Sequence, residues 1–246
     1  MGIRLFAVVV LLAASPALSA MTADELVAKN IEARGGLAQI KAIQSIKTKG
    51  RLTIGGDNPF EMELASYVTR SGKFRQEGAL QGMTQIQAWD GSEAWQIQPF
   101  GGRKDPDRMS VEDAMDLLDN ADIDGPLVDY KAKGHKLEYL GTQDVDGTEA
   151  HKLKLVEKDG DVKYIYLDPD YFLEIRITSQ RKVRGAEVEY ESDLGNYEKV
   201  AGVYMPYSYE VGEVDGPKAQ KITLEKVEVD VPLEDAFFAF PATSAK

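Results

Sequence analysis

The chain has 246 residues and no cysteine, with 41 Asp and Glu against 29 Lys and Arg for a formal net charge of −12. Without cysteine there are no disulfide staples, zinc-thiolate sites or thiol chemistry, so packing alone must hold the fold. The acidic excess argues against nucleic acid and against static attachment to an anionic membrane surface, because both depend on clustered Lys and Arg.

At the N-terminus, Arg4 precedes an apolar run from Leu5 to Ala14 and the small-residue stretch Ser15-Pro16-Ala17-Leu18-Ser19-Ala20. This reads as a cleavable secretory signal over residues 1–20. The apolar run is about half of the roughly 20 residues needed to cross a hydrocarbon core, so stable membrane insertion is not expected. Cleavage after Ser19 or Ala20 leaves Ala20 or Met21 in front and no cysteine to lipidate. The expected location is therefore the periplasm, and residues 21–246 are expected to form one domain.

The mature region opens with Thr22-Ala23-Asp24-Glu25, the pattern of a capping box at a helix start. Leu26, Val27 and Ile31, then Leu37, Ile40 and Ile43, recur at helical spacing, and Gly35-Gly36 divides them into two helices. From Ile46 the period changes to two, the sign of strands with one wet and one buried face. Phe60, Met62 and Leu64 share a face opposite Glu61 and Glu63. Further strands are predicted at Met83–Trp89, Glu93–Ile97, His151–Val156, Val162–Leu167, Phe172–Thr178, Ala186–Tyr190, Tyr204–Val211 and Gln220–Asp230. Asp90-Gly91, Asp146-Gly147, Asp159-Gly160, Asp168-Pro169-Asp170 and Gly216-Pro217 supply turns. One helix interrupts the series, capped by Ser110, with an apolar stripe of Val111, Ala114, Met115, Leu117 and Leu118. The fold class expected is mainly β (α+β), a curved antiparallel unclosed barrel with helices covering its concave apolar face.

Signatures of chemistry are sparse. His135 and His151 lack an adjacent nucleophile and are expected at the surface, and neither a G-x-S-x-G elbow nor an H-E-x-x-H pair occurs. Asn120-Ala121-Asp122-Ile123-Asp124-Gly125 resembles the start of a calcium loop, but Lys131 stands where the loop requires glutamate, so a turn is predicted. The paired glycines lack the lysine and strand-to-helix setting of a phosphate loop. Carboxylates alternate with apolar residues or sit in turns, the pattern of a solvated sheet face rather than of a glycosidase pair. No cofactor, metal or enzymatic activity is expected. What stands out is the concentration of Phe60, Phe74, Trp89, Trp95, Phe100, Met62, Met83, Met109 and Met115 in the first strands and the following helix, with Met205 further along the chain. Methionine adapts to varied apolar shapes, so a ligand cavity would use such residues. A plain core would use them too, and pattern alone does not separate the two readings.

Three segments resemble the family of LolA and related lipoprotein-sorting and lipid-binding proteins. Tyr67-Val68-Thr69-Arg70-Ser71-Gly72-Lys73-Phe74-Arg75 is similar to that family's strand, turn and strand with an arginine before the turn. Trp89-Asp90-Gly91-Ser92-Glu93-Ala94-Trp95-Gln96-Ile97-Gln98-Pro99-Phe100 is similar to its D-G-x-x-x-W-x-x-x-P-F stretch, and Phe237-Phe238-Ala239-Phe240-Pro241 to its closing F-x-F-x-P element. The chain is longer than a typical member, and Ser71-Gly72 stands where the family's turn has proline. The resemblance implies a periplasmic carrier, binding acyl chains of lipoproteins or lipids and passing them between envelope donor and acceptor proteins as a monomer. An envelope-stress sensor of the same fold, like RseB, is the alternative. The cavity implied is lined by Met62, Leu64, Trp89, Trp95, Ile97, Phe100, Met115 and Leu118. The helices over Thr22–Ile43 and Ser110–Leu118 serve as cover, and Arg70 latches backbone carbonyls of the lid.

Overall fold

A computed structural model describes residues 21–55, 59–110, 112–183 and 185–241. The predicted signal segment and Val111 lie outside the described residues. Helix α1 (Ala23–Ala33) starts as its sequence dictates: the Thr22 hydroxyl accepts from the Glu25 amide and the Glu25 carboxylate accepts from the Thr22 amide. The chain then breaks at Gly35, whose φ of +121° suits only glycine. A β-carbon there would also lie 2.1 Å from the Gly202 carbonyl oxygen. Helix α2 (Leu37–Ala42) follows.

Five strands come next: β1 (Ser45–Ile54), β2 (Phe60–Thr69), β3 (Phe74–Leu80), β4 (Met83–Trp89) and β5 (Ala94–Gln98). A 3-10 turn at Pro99–Gly101 leads to β6 (Arg103–Arg108). The predicted helix after Ser110 is a 3-10 turn over Glu112–Ala114 followed by α3 (Met115–Asn120), the Ser110 hydroxyl accepting from the Asp113 amide. After an irregular segment come β7 (Lys136–Val145), β8 (Thr148–Val156), β9 (Val162–Leu167), β10 (Glu174–Val183) and β11 (Ala186–Gly195). They are followed by β12 (Glu198–Val200), β13 (Val203–Met205), β14 (Ser208–Gly212), β15 (Gln220–Val229) and α4 (Asp235–Phe238).

Among the described residues, thirteen strands form one antiparallel sheet in the order β6-β5-β4-β3-β2-β1-β15-β14-β11-β10-β9-β8-β7, with β12 and β13 as a separate hairpin. The sheet does not close, because β6 and β7 end it without pairing to each other. Each free edge discourages pairing with another chain. The β6 edge consists of charged residues and Pro106, and β7 carries a register shift between Tyr139 and Thr142 around Gly141.

All three first helices lie on one face of this sheet. Leu26 and Val27 of α1 pack with Leu153 and Leu155 of β8 and Ile165 and Leu167 of β9. Ile40 and Ile43, on and just after α2, meet Val128 and Val203. Leu117 of α3, with Ala114 and Ala121, fills the space over Phe74 and Ala94. At the opposite face, α4 and the residues after it lie against β2–β5: the ring of Phe237 meets Tyr67 edge-on and that of Phe240 meets Trp95. No helix among the described residues is long and apolar enough to cross a membrane.

Candidate functional site: the helix-covered wall of the sheet

Residues paired across antiparallel strands point to the same face, so the registers define the wall beneath α3. On β1 it comprises Ile46, Thr48, Gly50, Leu52 and Ile54, and on β2 Val68, Ser66, Leu64, Met62 and Phe60. It continues through Phe74, Gln76, Gly78 and Leu80 of β3, Trp89, Gln87, Gln85 and Met83 of β4, and Ala94, Gln96 and Gln98 of β5. None of these positions carries a charge, whereas the other face of the same strands presents Lys47, Lys49, Arg51, Glu61, Glu63, Arg75 and Glu77. In a chain with 28% charged residues, that segregation marks the wall as a place where a charge would be stranded away from water.

The structure brings together part of the predicted cavity lining. Met62, Leu64 and Trp89 share this wall, Trp89 packing on the α3 cluster and Met62 placing its sulfur over Gly78. Met115 and Leu118 belong to α3, Met115 half-buried and Leu118 exposed. Trp95 and Ile97 are on the opposite face, because Trp95 pairs with Ala88 and Ile97 with Ile86. Trp95 is 0% exposed and its indole Nε1 donates to the Phe238 carbonyl at 2.7 Å. These two residues therefore do not join the wall with Trp89. Phe100 is exposed in the 3-10 turn after β5.

Arg70, immediately after β2, reaches back to the cover. Its Nε donates to the Ile43 carbonyl at 2.7 Å, Nη2 to the Ile40 carbonyl at 2.7 Å and Nη1 to the Asp124 carboxylate at 2.6 Å. A planar fork with five donors suits three acceptors at once. Asp124 also accepts from Lys41 at 2.5 Å, and its backbone carbonyl accepts from Arg34 at 3.0 Å. Burial opposes the Asp124 charge, but the hydrogen bonds from Lys41 and Arg70 outweigh it and hold the carboxyl below its ordinary 3.8. The segment that resembled a calcium loop thus spends its carboxylates on side-chain cations, Asp122 accepting from Lys133 at 2.5 Å in the same way.

A second set of contacts ties α3 to the far half of the sheet. Asp119 accepts from Arg181 of β10 at 2.5 Å and lies 3.0 Å from the Lys163 ammonium of β9, which also meets Glu157 at 2.7 Å. Burial disfavours the Lys163 charge, yet Asp119 and Glu157 outweigh it and keep its pKa above the ordinary value. Burial pushes the Glu157 carboxyl up. Surface grooves among the described residues include one of about 530 Å3 lined by Lys29, Glu32, Tyr171, Phe172, Tyr197 and Tyr204, and one of about 430 Å3 lined by Leu118, Asp119, Asp122, His135, Glu157 and Lys163. Neither is lined by Met62, Leu64 or Trp89.

His151, expected at the surface, is buried on the helix-covered face. Its Nδ1 shares a 2.9 Å hydrogen bond with the Tyr139 hydroxyl, and its ring stacks on Phe172, over which the Lys29 ammonium sits. Burial, with Lys29 adding to it, pulls the imidazole pKa below its ordinary 6.5. The unfolded chain then binds the proton more readily than the folded one. The stability contributed by neutral His151 is present above pH 6.5 and is lost as pH falls from there through the folded value. Denaturant titrations between pH 7.5 and 5 should show a decline that shrinks in His151→Gln, and an unchanged slope in that variant would locate the effect elsewhere, for example at His135.

No family model and no curated protein sequence matches the chain. Solved structures do. A LolA superfamily protein from Nitrosomonas europaea superposes with a TM-score of 0.58 at 14% identity, covering 89% of this chain and 98% of that one. An outer membrane lipoprotein-sorting protein domain from Vibrio parahaemolyticus gives 0.57 at 12% identity, over 86% and 97%. A DUF1329 family protein from Desulfovibrio piger gives 0.55 at 14% identity, over 88% and 97%. The fold is therefore similar to that of these three proteins, an open sheet wrapped around short helices, and at these identities the likeness is one of fold alone.

Proposed function

We propose that this chain is an exported periplasmic carrier whose mature region, residues 21–246, is one domain that takes acyl chains of a lipoprotein or lipid. The chains lie on the uncharged wall of β1–β5, in the space α3 occupies. The observation that carries this reading is the pairing of a charge-free wall with a cover only six residues long. Isolated helices shorter than about 12 residues are marginal in water, so α3 depends on its contacts and can be displaced by a ligand offering equivalent ones. Leu117, Ala114 and Ala121 now supply the apolar surface over Phe74 and Ala94. An acyl chain supplies the same surface at about 0.8 kcal/mol per methylene removed from water. Arg70 is the latch in this reading, holding α2 and the Asp124 segment while α3 moves. The fold, similar to that of a lipoprotein-sorting domain, supports the same reading.

Native mass spectrometry of the protein purified from its own envelope tests it. The expected spectrum shows a chain shortened by its first 20 residues and carrying acyl species of defined mass. A chain that retains its N-terminus, or that is free of acyl adducts in every preparation, contradicts the reading.

A further inference from the structure

The groove of about 530 Å3 shares no lining residue with the β1–β5 wall. Its volume falls within the range of about 300–1,000 Å3 typical of small-ligand sites. Lys29, Glu32 and Ala33 form one side, spaced so that they share a face of α1. Tyr171 and Phe172, in the turn before β10, form a second side, and Tyr197 and Tyr204, flanking the β12–β13 hairpin, a third.

These aromatic residues are held in place from behind. Phe172 sits at φ +55°, a conformation bulky residues rarely adopt. Its amide donates to the Asp168 carbonyl at 2.9 Å, and its own carbonyl accepts from Nδ2 of the buried Asn30 at 2.9 Å. The Tyr171 amide donates to the Asp168 carboxylate at 2.7 Å. Across the groove the Tyr197 hydroxyl donates to the Glu174 carbonyl at 2.7 Å, and the Tyr204 amide donates to the Arg34 carbonyl at 2.8 Å. Yet Tyr171 is 72% exposed and Tyr204 36%. Fixed backbone beneath open rings is contact area whose ordering is complete before a ligand arrives.

The charges around these rings narrow the chemistry. Lys29, Glu32 and Asp170 make no ion pair among the described residues, so a hydrocarbon laid in the groove would strip water from three charges and return nothing. An anion meets two carboxylates. A cation finds its place on Phe172 already taken, because the Lys29 ammonium lies 4.6 Å from that ring centroid. A neutral, polyhydroxylated ring satisfies every group: its C–H face rests on the electron-rich faces of the phenols, its hydroxyls donate to Glu32 and Asp170, and a further hydroxyl oxygen accepts from Lys29. We propose that this groove is a binding site for a neutral saccharide, separate from the acyl site and independent of the carrier reading.

The test uses isothermal titration calorimetry and saturation-transfer NMR on the purified protein with four probes: maltotetraose, tetra-N-acetylchitotetraose, tetragalacturonate and a proline decapeptide. At least one of the two neutral tetrasaccharides is expected to bind with a Kd of about 1 mM or below and to receive saturation at its ring C–H protons. A preference for the N-acetylated probe assigns the site to amino-sugar polymers, and a preference for maltotetraose to plain glucans. Tyr171→Ala, at an exposed position, and the pair Lys29→Gln, Glu32→Gln should each weaken binding about tenfold, and Tyr171→Ala with Tyr204→Ala should abolish it, the circular dichroism spectra staying those of the wild type. Val188→Ser, which removes an exposed apolar side chain on β11 outside the groove, should leave the affinity unchanged. Absence of binding by both neutral probes overturns the proposal, as does binding that survives the double tyrosine variant. Tighter binding of tetragalacturonate than of either neutral probe overturns it in favour of an anion held by Lys29. Binding of the proline decapeptide alone, lost in Tyr171→Ala, overturns it in favour of a peptide groove.

Discussion

Replacing Arg70 with leucine is expected to destabilise the fold by about 2–4 kcal/mol and to loosen the cover before the sheet. The variant removes three charge-assisted hydrogen bonds, to the Ile40 and Ile43 carbonyls and the Asp124 carboxylate. Such bonds contribute ~1.5–3 kcal/mol each at full burial. Removing one partner of a buried pair costs about 3–5 kcal/mol because the other charge is left behind. Arg70 keeps some solvent contact and Asp124 keeps Lys41, so the expected loss lies at and below the low end of that range, well short of the sum of three full bonds. Arg70→Lys retains the charge but cannot span three acceptors, and an intermediate loss is expected. Hydrogen exchange should rise in residues 37–43 and 115–124 while β8 and β9 stay protected. Unchanged exchange with a loss below about 0.5 kcal/mol, the range of ordinary surface changes, would reduce Arg70 to a turn residue. Acid should imitate the variant. Because the Asp124 pKa is depressed in the fold, its contribution is complete above about 3.8 and disappears as pH falls through the folded value.

The second large effect concerns Trp95. Trp95→Ala should cost about 3–5 kcal/mol, the range for emptying a fully buried aromatic site, and should release the C-terminal strap. The indole contributes its hydrogen bond to the Phe238 carbonyl, its edge contact with Phe240 and a face for the Arg75 guanidinium 5.5 Å away. Limited proteolysis should then cut first near residues 234–241. Trp89→Ala should be milder, since Trp89 is only half-buried and packs at the margin of the α3 cluster. Equal costs at the two positions, with an intact strap, would contradict their placement on opposite faces.

The sequence-level signals that held were local ones. The capping box at Thr22, the glycine break at Gly35 and the alternation along β2 each depend on residues within a few positions of one another, and each appears as expected. Misplaced elements had partners far away or a broken period. Strand β6 is all charge and proline, so no alternation announced it, and the bulge at Gly141 inverts the phase of β7 midway. The expected strand over Tyr204–Val211 is two strands because Pro206 interrupts the ladder, and Phe172 lies in a turn at φ +55° rather than in β10. His151 read as exposed because the strand that buries it, carrying Tyr139, was not recognised. Trp95 read as a cavity residue because its cover comes from Phe238 and Phe240, more than 140 positions downstream.

The presence of only two tryptophans, one on each face of the sheet, allows the central claim to be read directly. Single-tryptophan variants Trp95→Phe, retaining Trp89, and Trp89→Phe, retaining Trp95, should be titrated with a fatty acid carrying bromine on its chain, which quenches an indole only at contact. The expected result is saturable quenching of Trp89 with Trp95 emission unchanged. Saturable binding that leaves Trp89 unquenched, or that quenches Trp95 alone, would contradict an acyl site on the helix-covered wall.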